Sequence, residues 1–521
     1  MTEVRNPILR GFNPDPSIIR VGEDFYIATS TFEWFPGVQI HHSRDLVNWE
    51  LLTRPLDRVS QLDMAGVADS CGVWAPCLSW DGELFYLCYT IVRTKGIFKD
   101  THNYLVTAST IEGPWSEPVF LNSYGFDPSL FHDEDGRKWT LTMTTDFREG
   151  KNRFAGILLE EYDRVKKVCS GKPKLIYTGT ELGWTEGSHL YKIGEYYYLL
   201  VAEGGTFYNH AESVARSRTI DGPYEDMPGN PVITSKDRDE LYIQKAGHGD
   251  LVELADGSWA FVHLGSRPIN RHCMLGRETC IQNIVFDEDG WPRIAGGDNA
   301  PRDLFISPFD ALPKGPTDIT YTFDGPTLHK DFQTLRIPLG PDVLSLTDRR
   351  GYLRLYGRES MSSTFVQALV GRRQQAFFCN VTTEIDFTPS WYKHMAGLAY
   401  YYGTRQYYYL AVTHDEALGR IVALMSCDND AYDLPIATLV VAEKGSLTLK
   451  IETRAEVVRF LCSEDGKNFK QVGDDQDATR ISDDRMDNTA FTGAFFTLSC
   501  QDLSGMRRHA DVRYLHYLEL E

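Results

Sequence analysis

Long amphipathic helical periodicity is nearly absent from these 521 residues, which argues against a fold built on helices. No run is long and apolar enough to span a bilayer. The opening residues, MTEVRNPILRGFNPDPSIIR, show neither the basic start nor the apolar stretch of about 7 to 15 residues that a secretion signal needs, so a soluble, cytoplasmic protein is expected. Basic residues are in deficit, 53 against 73 acidic, for a formal net charge of -20. That balance repels nucleic acid and anionic membranes and suits a neutral or cationic partner. There is no Gly-rich phosphate loop with its Lys, no C-x-x-C-H and no H-E-x-x-H, which removes nucleotide, haem and zinc-protease chemistry. The ten cysteines are scattered, often within apolar runs such as LFYLCYT around Cys88 and AFFCNV around Cys379. They read as small buried hydrophobes in a reducing compartment and not as a disulfide framework. Cys71 and Cys77 flank VWAP with no second pair at zinc-site spacing, so no metal role is assigned to them.

What the chain does contain is strands. DFYIATS, ELFYLCYT, KWTLTMTT, YYYLLVAE and SWAFVHLG mix β-branched and aromatic residues, and turn dipeptides such as Asp81-Gly82 and Asp256-Gly257 precede some of them. A similar stretch leads into each run: DPSII from Asp15, WAPCL from Trp74, DPSLF from Asp127, EGSHL from Glu186 and HGDLV from His248. Their first residues lie 59, 53, 59 and 62 positions apart. Units of roughly 40 to 60 residues with several strands each are what a β-propeller blade requires, so five blades are expected over residues 1–300. Equivalent points of the blades lie equally far from the central axis, which would bring two Asp, one Glu, one Trp and one His together.

Taken singly, each of these residues has an ordinary explanation. Asp before Pro and Ser is a common turn opener, His248 reads as a core histidine, and Trp74 reads as packing. The repeat changes the balance, because carboxylates at corresponding blade positions would repel one another near the axis and gain nothing structurally. Three carboxylates in one depression suit hydrolysis of a glycosidic bond, which needs a protonated acid at the leaving oxygen and an ionised carboxylate to activate water or attack the sugar. Mutual repulsion would keep one of them protonated near neutrality.

These residues, with NPDPSIIRVGEDFYIATSTFEWFPGVQIHHSRDLVNW, GVWAPCLSW, GFDPSLF, WTEGSHLYK, LGRET, TGAFFTLSCQD and HADVRYLHY, make the sequence resemble glycoside hydrolase family 43, specifically its two-domain β-xylosidases, over nearly its whole length. The resemblance implies an all-β protein, a five-bladed β-propeller followed by a jelly-roll, concanavalin-like β-sandwich, acting with inversion. It implies that Asp15 is the general base, Asp127 the residue that orients and tunes the acid, and Glu186 the general acid. Arg277 would hold sugar hydroxyls and the carboxylates, and Trp74 and Phe32 would form aromatic walls. Phe495, with Phe496 as the alternative, would be a phenylalanine sent into the site by the second domain. His248 would lie beneath the site, where the matching histidine of some relatives helps hold calcium or an ordered water. Calcium prefers oxygen ligands, so no cofactor is required, and a calcium ion near the propeller axis stays open. The stretch between SRP (Ser266 to Pro268) and LGRET is shorter than in close β-xylosidase relatives, which leaves the pocket rim open as well.

Cores stop growing at roughly 250 to 300 residues, so two large domains are expected. Residues 301–320, rich in Pro and Asp, read as a linker, and 321–521 as a two-sheet sandwich with strands such as GYLRLYG, GLAYYYGT and SLTLKIET. The tyrosines 400–402 and 407–409 read as sandwich core or interdomain packing, with a carbohydrate-binding face as the alternative. A phenylalanine closing one end of the depression would admit chain ends only. The expected function is therefore exo-acting release of xylose from the non-reducing end of xylooligosaccharides. The alternatives are an α-L-arabinofuranosidase and, more remotely, a non-catalytic carbohydrate-binding protein. Association into a homodimer or homotetramer is expected.

Overall fold

The computed structural model describes residues 1–96, 98–485 and 490–520. Each strand-like run named above folds as a strand, since β-branched and aromatic side chains fit a pleated, half-buried surface. The first 300 residues form five antiparallel four-stranded sheets in chain order. The first holds Ser17–Val21, Asp24–Thr29, Gln39–Ser43 and Glu50–Thr53, and the second Gly72–Trp80, Phe85–Val92, Thr101–Ala108 and Val119–Asn122. Ser129–His132, Lys138–Thr145, Phe154–Asp163 and Val168–Tyr177 make the third. The fourth begins with Glu186–Ile193 and carries a short extra strand, Ile233–Thr234; the fifth runs from Gln244–Glu253 to Pro292–Ile294. The ring is sewn shut at its ends. Thr2–Arg5 pairs with Leu304–Ser307, Leu9 bridges Thr279, and the Asn6 side chain exchanges two hydrogen bonds with Ile281 of the fifth blade, at 2.7 and 2.9 Å.

The repeat has a backbone signature. Asp15, Ala75, Asp127, Gly187 and His248 all take positive φ, at 53°, 36°, 55°, 56° and 49°, a kink that re-aims the chain where each blade begins. The expected register is therefore shifted in two blades. In the first, third and fifth the kinked residue is the one the repeat singled out, whereas in the second and fourth Trp74 and Glu186 are the residues before it. Glycine is required at 187, because a Cβ there would meet His248 Nε2 at 2.8 Å.

The rest of the chain forms a nine-stranded and a six-stranded sheet face to face. Phe378–Asp386 alternates strictly, with Cys379, Val381, Thr383 and Ile385 buried, as expected of a strand with one face on a core. His394–Gly403 is almost wholly buried because both of its faces are covered. Tyr400 and Tyr402 point into the sandwich core, while Tyr401 packs with Phe12, Phe32 and Trp34 of the propeller. The two tyrosine clusters are thus core and interdomain packing, buried to 6 % exposure or less. Thr334–Leu335 also pairs with Trp34–Phe35, a small sheet shared by the two halves. The stretch expected to be a linker carries a strand at each end, since Leu304–Ser307 belongs to the ring closure and Asp318–Thr322 to the nine-stranded sheet. Among the described residues no helix is long and apolar enough to cross a membrane.

Candidate active site

The kinked blade starts converge on one cavity of about 360 Å³, at the small end of ligand pockets. Asp15, Trp74, Asp127, Glu186 and His248 all line it, as do Phe32 and Arg277. The three carboxylates are buried, but their surroundings differ. Arg277 Nη1 donates to Asp15 Oδ1 at 2.7 Å and the Ser30 hydroxyl donates to Oδ2 at 2.6 Å. Burial works against the charged form of Asp15, yet Arg277, His248 and Ser30 together hold its pKa below the ordinary value. Glu186 is pushed well above its ordinary value, by burial first and then by the Asp127 and Asp15 charges. Burial and Asp15 raise Asp127 too, so Asp127 and Glu186 compete for one proton. The Gly187 N–H donates to Asp127 Oδ2 at 3.1 Å, which favours the charged form of Asp127. Glu186 has no such donor among the described residues. We therefore place the proton on Glu186.

His248 Nδ1 lies 3.8 Å from Asp15 Oδ1. Burial pushes this imidazole down to about 4, so near neutrality the contact is with a neutral ring and is not an ion pair. Calcium takes six to eight oxygen ligands, whereas the axis offers imidazole nitrogens beside an Asp15 carboxylate already held by Arg277 and Ser30. Among the described residues the three-donor group of Cys273, Asp483 and Asp484 could meet one ion, but Lys245 Nζ already contacts both of its carboxylates, at 3.2 and 2.7 Å. The donors at the axis do not fit a calcium shell built from protein groups.

One expected residue is elsewhere. Phe495 opens the strand Phe495–Asp502 and is fully buried, stacked on Trp34 with ring centroids 3.8 Å apart. Phe496, on the opposite face of that strand, stacks on Tyr400 in the sandwich core. Strand alternation commits both rings to apolar layers, so only a residue outside the strand can reach the cavity, and that residue is Phe491. Its ring lies 6.2 Å from Phe32 and 5.7 Å from Trp74. Its backbone is fixed by Arg277 Nη2 donating to its carbonyl at 3.1 Å and by its N–H donating to Ser70 Oγ at 3.1 Å. Upstream, Lys245 grips Asp483 and Asp484, and Asp484 Oδ2 accepts the Cys273 N–H at 2.7 Å, so the propeller holds these two aspartates of the second half.

The floor beneath Ser70 is ionic. Its N–H donates to Glu33 Oε2 at 3.0 Å. Arg336 of the second half donates to Asp69 Oδ1 at 2.7 Å, and the Thr404 N–H and hydroxyl bind Asp69 Oδ2 at 2.9 and 2.6 Å. Sequence reading also missed Lys95, Lys99, Arg153, Phe154 and Trp184 on the rim. Lys95, Lys99 and Arg153 lie in connections outside the repeat that no motif marked, Phe154 opens a strand, and Trp184 stands at the head of WTEGSHLYK without having been singled out.

A model of glycosyl hydrolases family 43 matches residues 4–292, and a model described as the beta xylosidase C-terminal concanavalin A-like domain matches residues 320–518. The chain is 48% identical to a xylosidase/arabinosidase 43B of Humicola insolens, with 99% of this chain and 98% of that protein covered. It is 45% identical to a beta-xylosidase of Bacillus subtilis, covering 99% and 100%. The crystal structure of a xylan beta-1,4-xylosidase from Bacillus halodurans superposes with a TM-score of 0.97 at 50% identity, over 99% of this chain and 100% of that one.

Proposed function

The chain belongs to glycosyl hydrolases family 43, and from that premise we propose that it is an exo-acting β-xylosidase in which Asp15 and Glu186 act as base and acid. The observation that carries this reading is the contrast between two carboxylates lining one cavity: Asp15 is held by Arg277 and Ser30, with its pKa below the ordinary value, whereas burial and its acidic neighbours push the Glu186 pKa well above it. Asp15 takes a proton from water as the water oxygen bonds to the anomeric carbon, and Glu186 gives its proton to the departing glycosidic oxygen. The anomeric centre inverts in that single displacement. Asp127 helps to keep the proton on Glu186, since a negative charge on it raises the Glu186 pKa. Phe32, Trp74 and Phe491 supply apolar contact to the sugar faces, and Arg277 supplies donors to its hydroxyls. Phe491, fixed by hydrogen bonds to Arg277 and Ser70, supports the exo action, because a walled cavity accepts a chain end and not the middle of a polymer. No step runs through a metal. The ten free cysteines, nine of them buried, support work in a reducing compartment such as the cytoplasm. Action on α-L-arabinofuranosides is secondary, and the name of the Humicola relative supports it.

Proton NMR of xylobiose hydrolysis, recorded within minutes of adding protein, tests the reading. Early α-xylose is expected. Early β-xylose would replace inversion by a covalent intermediate, and no xylose at all would move the function to arabinosides or to binding.

A further inference from the structure

The two sides of the cavity carry different chemistry. Arg277 and His248 stand on the Asp15 side, where Arg277 Nη1 donates to Asp15. Past Trp74 and Glu186 the rim holds Lys95 and Lys99, from the connection between Phe85–Val92 and Thr101–Ala108, and Arg153, from the connection before Phe154–Asp163. Lys99 Nζ lies over the Trp74 ring at 5.1 Å and is near enough to Glu186 for each charge to act on the other. Arg153 adjoins Phe154, whose ring lies 5.0 Å from that of Trp184; Trp184 is 51% exposed, two residues before Glu186. The carboxylates lining the cavity are Asp15, Asp127 and Glu186 alone, so among the described residues no acidic side chain of the rim answers these three cations. In a chain of net charge -20, three cations along one stretch of the rim, one of them over the Trp74 ring, form a local reversal of sign.

An acid protonates the leaving oxygen, so groups beyond Glu186 border the unit that departs. A plain xylose unit is neutral and can take hydrogen bonds from these side chains but no charge pairing. We infer that this rim recognises a carboxylate on the leaving unit, so that acidic xylooligosaccharides are preferred substrates. The inference rests on the reading of Glu186 as the proton donor. The carboxylate reaches the rim as a uronate branch on the unit next to the scissile bond or as an aldonate at its oxidised end.

The test compares kcat/KM for 4-carboxyphenyl β-xyloside with that for the isosteric 4-carbamoylphenyl β-xyloside. In the wild-type protein the carboxylate:amide ratio should fall roughly tenfold between about 0.02 and 0.5 M NaCl as the charges are screened. It should fall by a similar factor at low salt in the variant carrying Lys95→Met, Lys99→Met and Arg153→Met, a comparison in which the intrinsic leaving abilities cancel. A ratio indifferent to salt in the wild type overturns the inference, even if the triple variant fails to fold. Hydrolysis of neither aryl xyloside overturns instead the glycosidase reading beneath it. Xylobionate and xylobiose bearing a glucuronate on its reducing unit then separate the sources. A gain over xylobiose for either one identifies the natural carboxylate, and a gain for neither overturns the proposal.

Discussion

Asp15, Asp127 and Glu186 share one buried cavity, yet only their surroundings decide which of them is charged. Asp15 must be ionised to take a proton, and its lowered pKa keeps it so until the pH falls below the usual carboxylate range. Glu186 must be protonated to give one, and its raised pKa holds that proton well above this range. The profile of kcat/KM should therefore be a bell whose acid limb belongs to Asp15 and whose basic limb belongs to Glu186. Glu186→Gln should lower turnover of xylobiose by about 10²- to 10⁴-fold, spare aryl xylosides that leave without a proton, and abolish the basic limb. A basic limb that survives the substitution would reassign the acid to Asp127. The three carboxylates were legible in the sequence because a repeat with a mechanical cause, the kinked start of each blade, carried them to the axis. Trp74 and Glu186 fell one position out of register, because residue identity does not record which residue takes positive φ. Phe495 was wrong for a related reason. The motif TGAFF marks the strand, and the ring that lines the cavity, Phe491, lies just before it, where no pattern constrains the chain.

At the scale of elements, the site depends on connections held from across the domain boundary. Arg336 donates through Nε to the Val67 carbonyl at 2.6 Å and through Nη2 to Asp69, fixing the segment that presents Ser70 to Phe491. Burial and the Asp69 charge raise Glu33 to about 8, and Arg336 opposes that rise. Arg336→Met should cost about 3 to 5 kcal/mol, because it strands a buried carboxylate. Denaturant unfolding should show that loss at neutral pH. A loss below about 1 kcal/mol would mean that Thr404 and the Ser70 backbone already satisfy the cluster. Alternating strands such as Phe378–Asp386 could be read directly from their burial period. The wholly apolar strands around Tyr401 could not, since one sequence pattern serves a core strand and an interface strand alike. The cationic rim was invisible for the opposite reason, as solvent-facing loop residues carry no periodicity.

At the scale of the whole molecule, the two halves act as one enzyme. Phe12, Phe32 and Trp34 of the propeller share an apolar layer with Tyr401, Tyr409 and Phe495 of the sandwich, and the sheet formed by Trp34–Phe35 and Thr334–Leu335 crosses the boundary. Residues 312–316 are exposed and belong to no strand. A protease site placed there should be cut without separating the halves, so that the nicked protein elutes from gel filtration as one particle and still hydrolyses xylobiose; halves that part on the column would show that the chain connection holds them together. The five blades and the second domain were legible from strand runs and turn dipeptides, while the contact between them, made by side chains far apart in sequence, was not. The ring closure sets a timetable for biosynthesis. Thr2–Arg5 leaves the ribosome well before its partner and waits for Leu304–Ser307, roughly 15 to 60 s at usual elongation rates. His509–Glu519, which joins Leu353–Tyr356, Phe378–Asp386 and Asp318–Thr322, emerges later still, after Phe491. A nascent chain released before Phe491 therefore lacks both a finished sandwich and one wall of the cavity, so the propeller alone, though its ring is closed, makes an incomplete site.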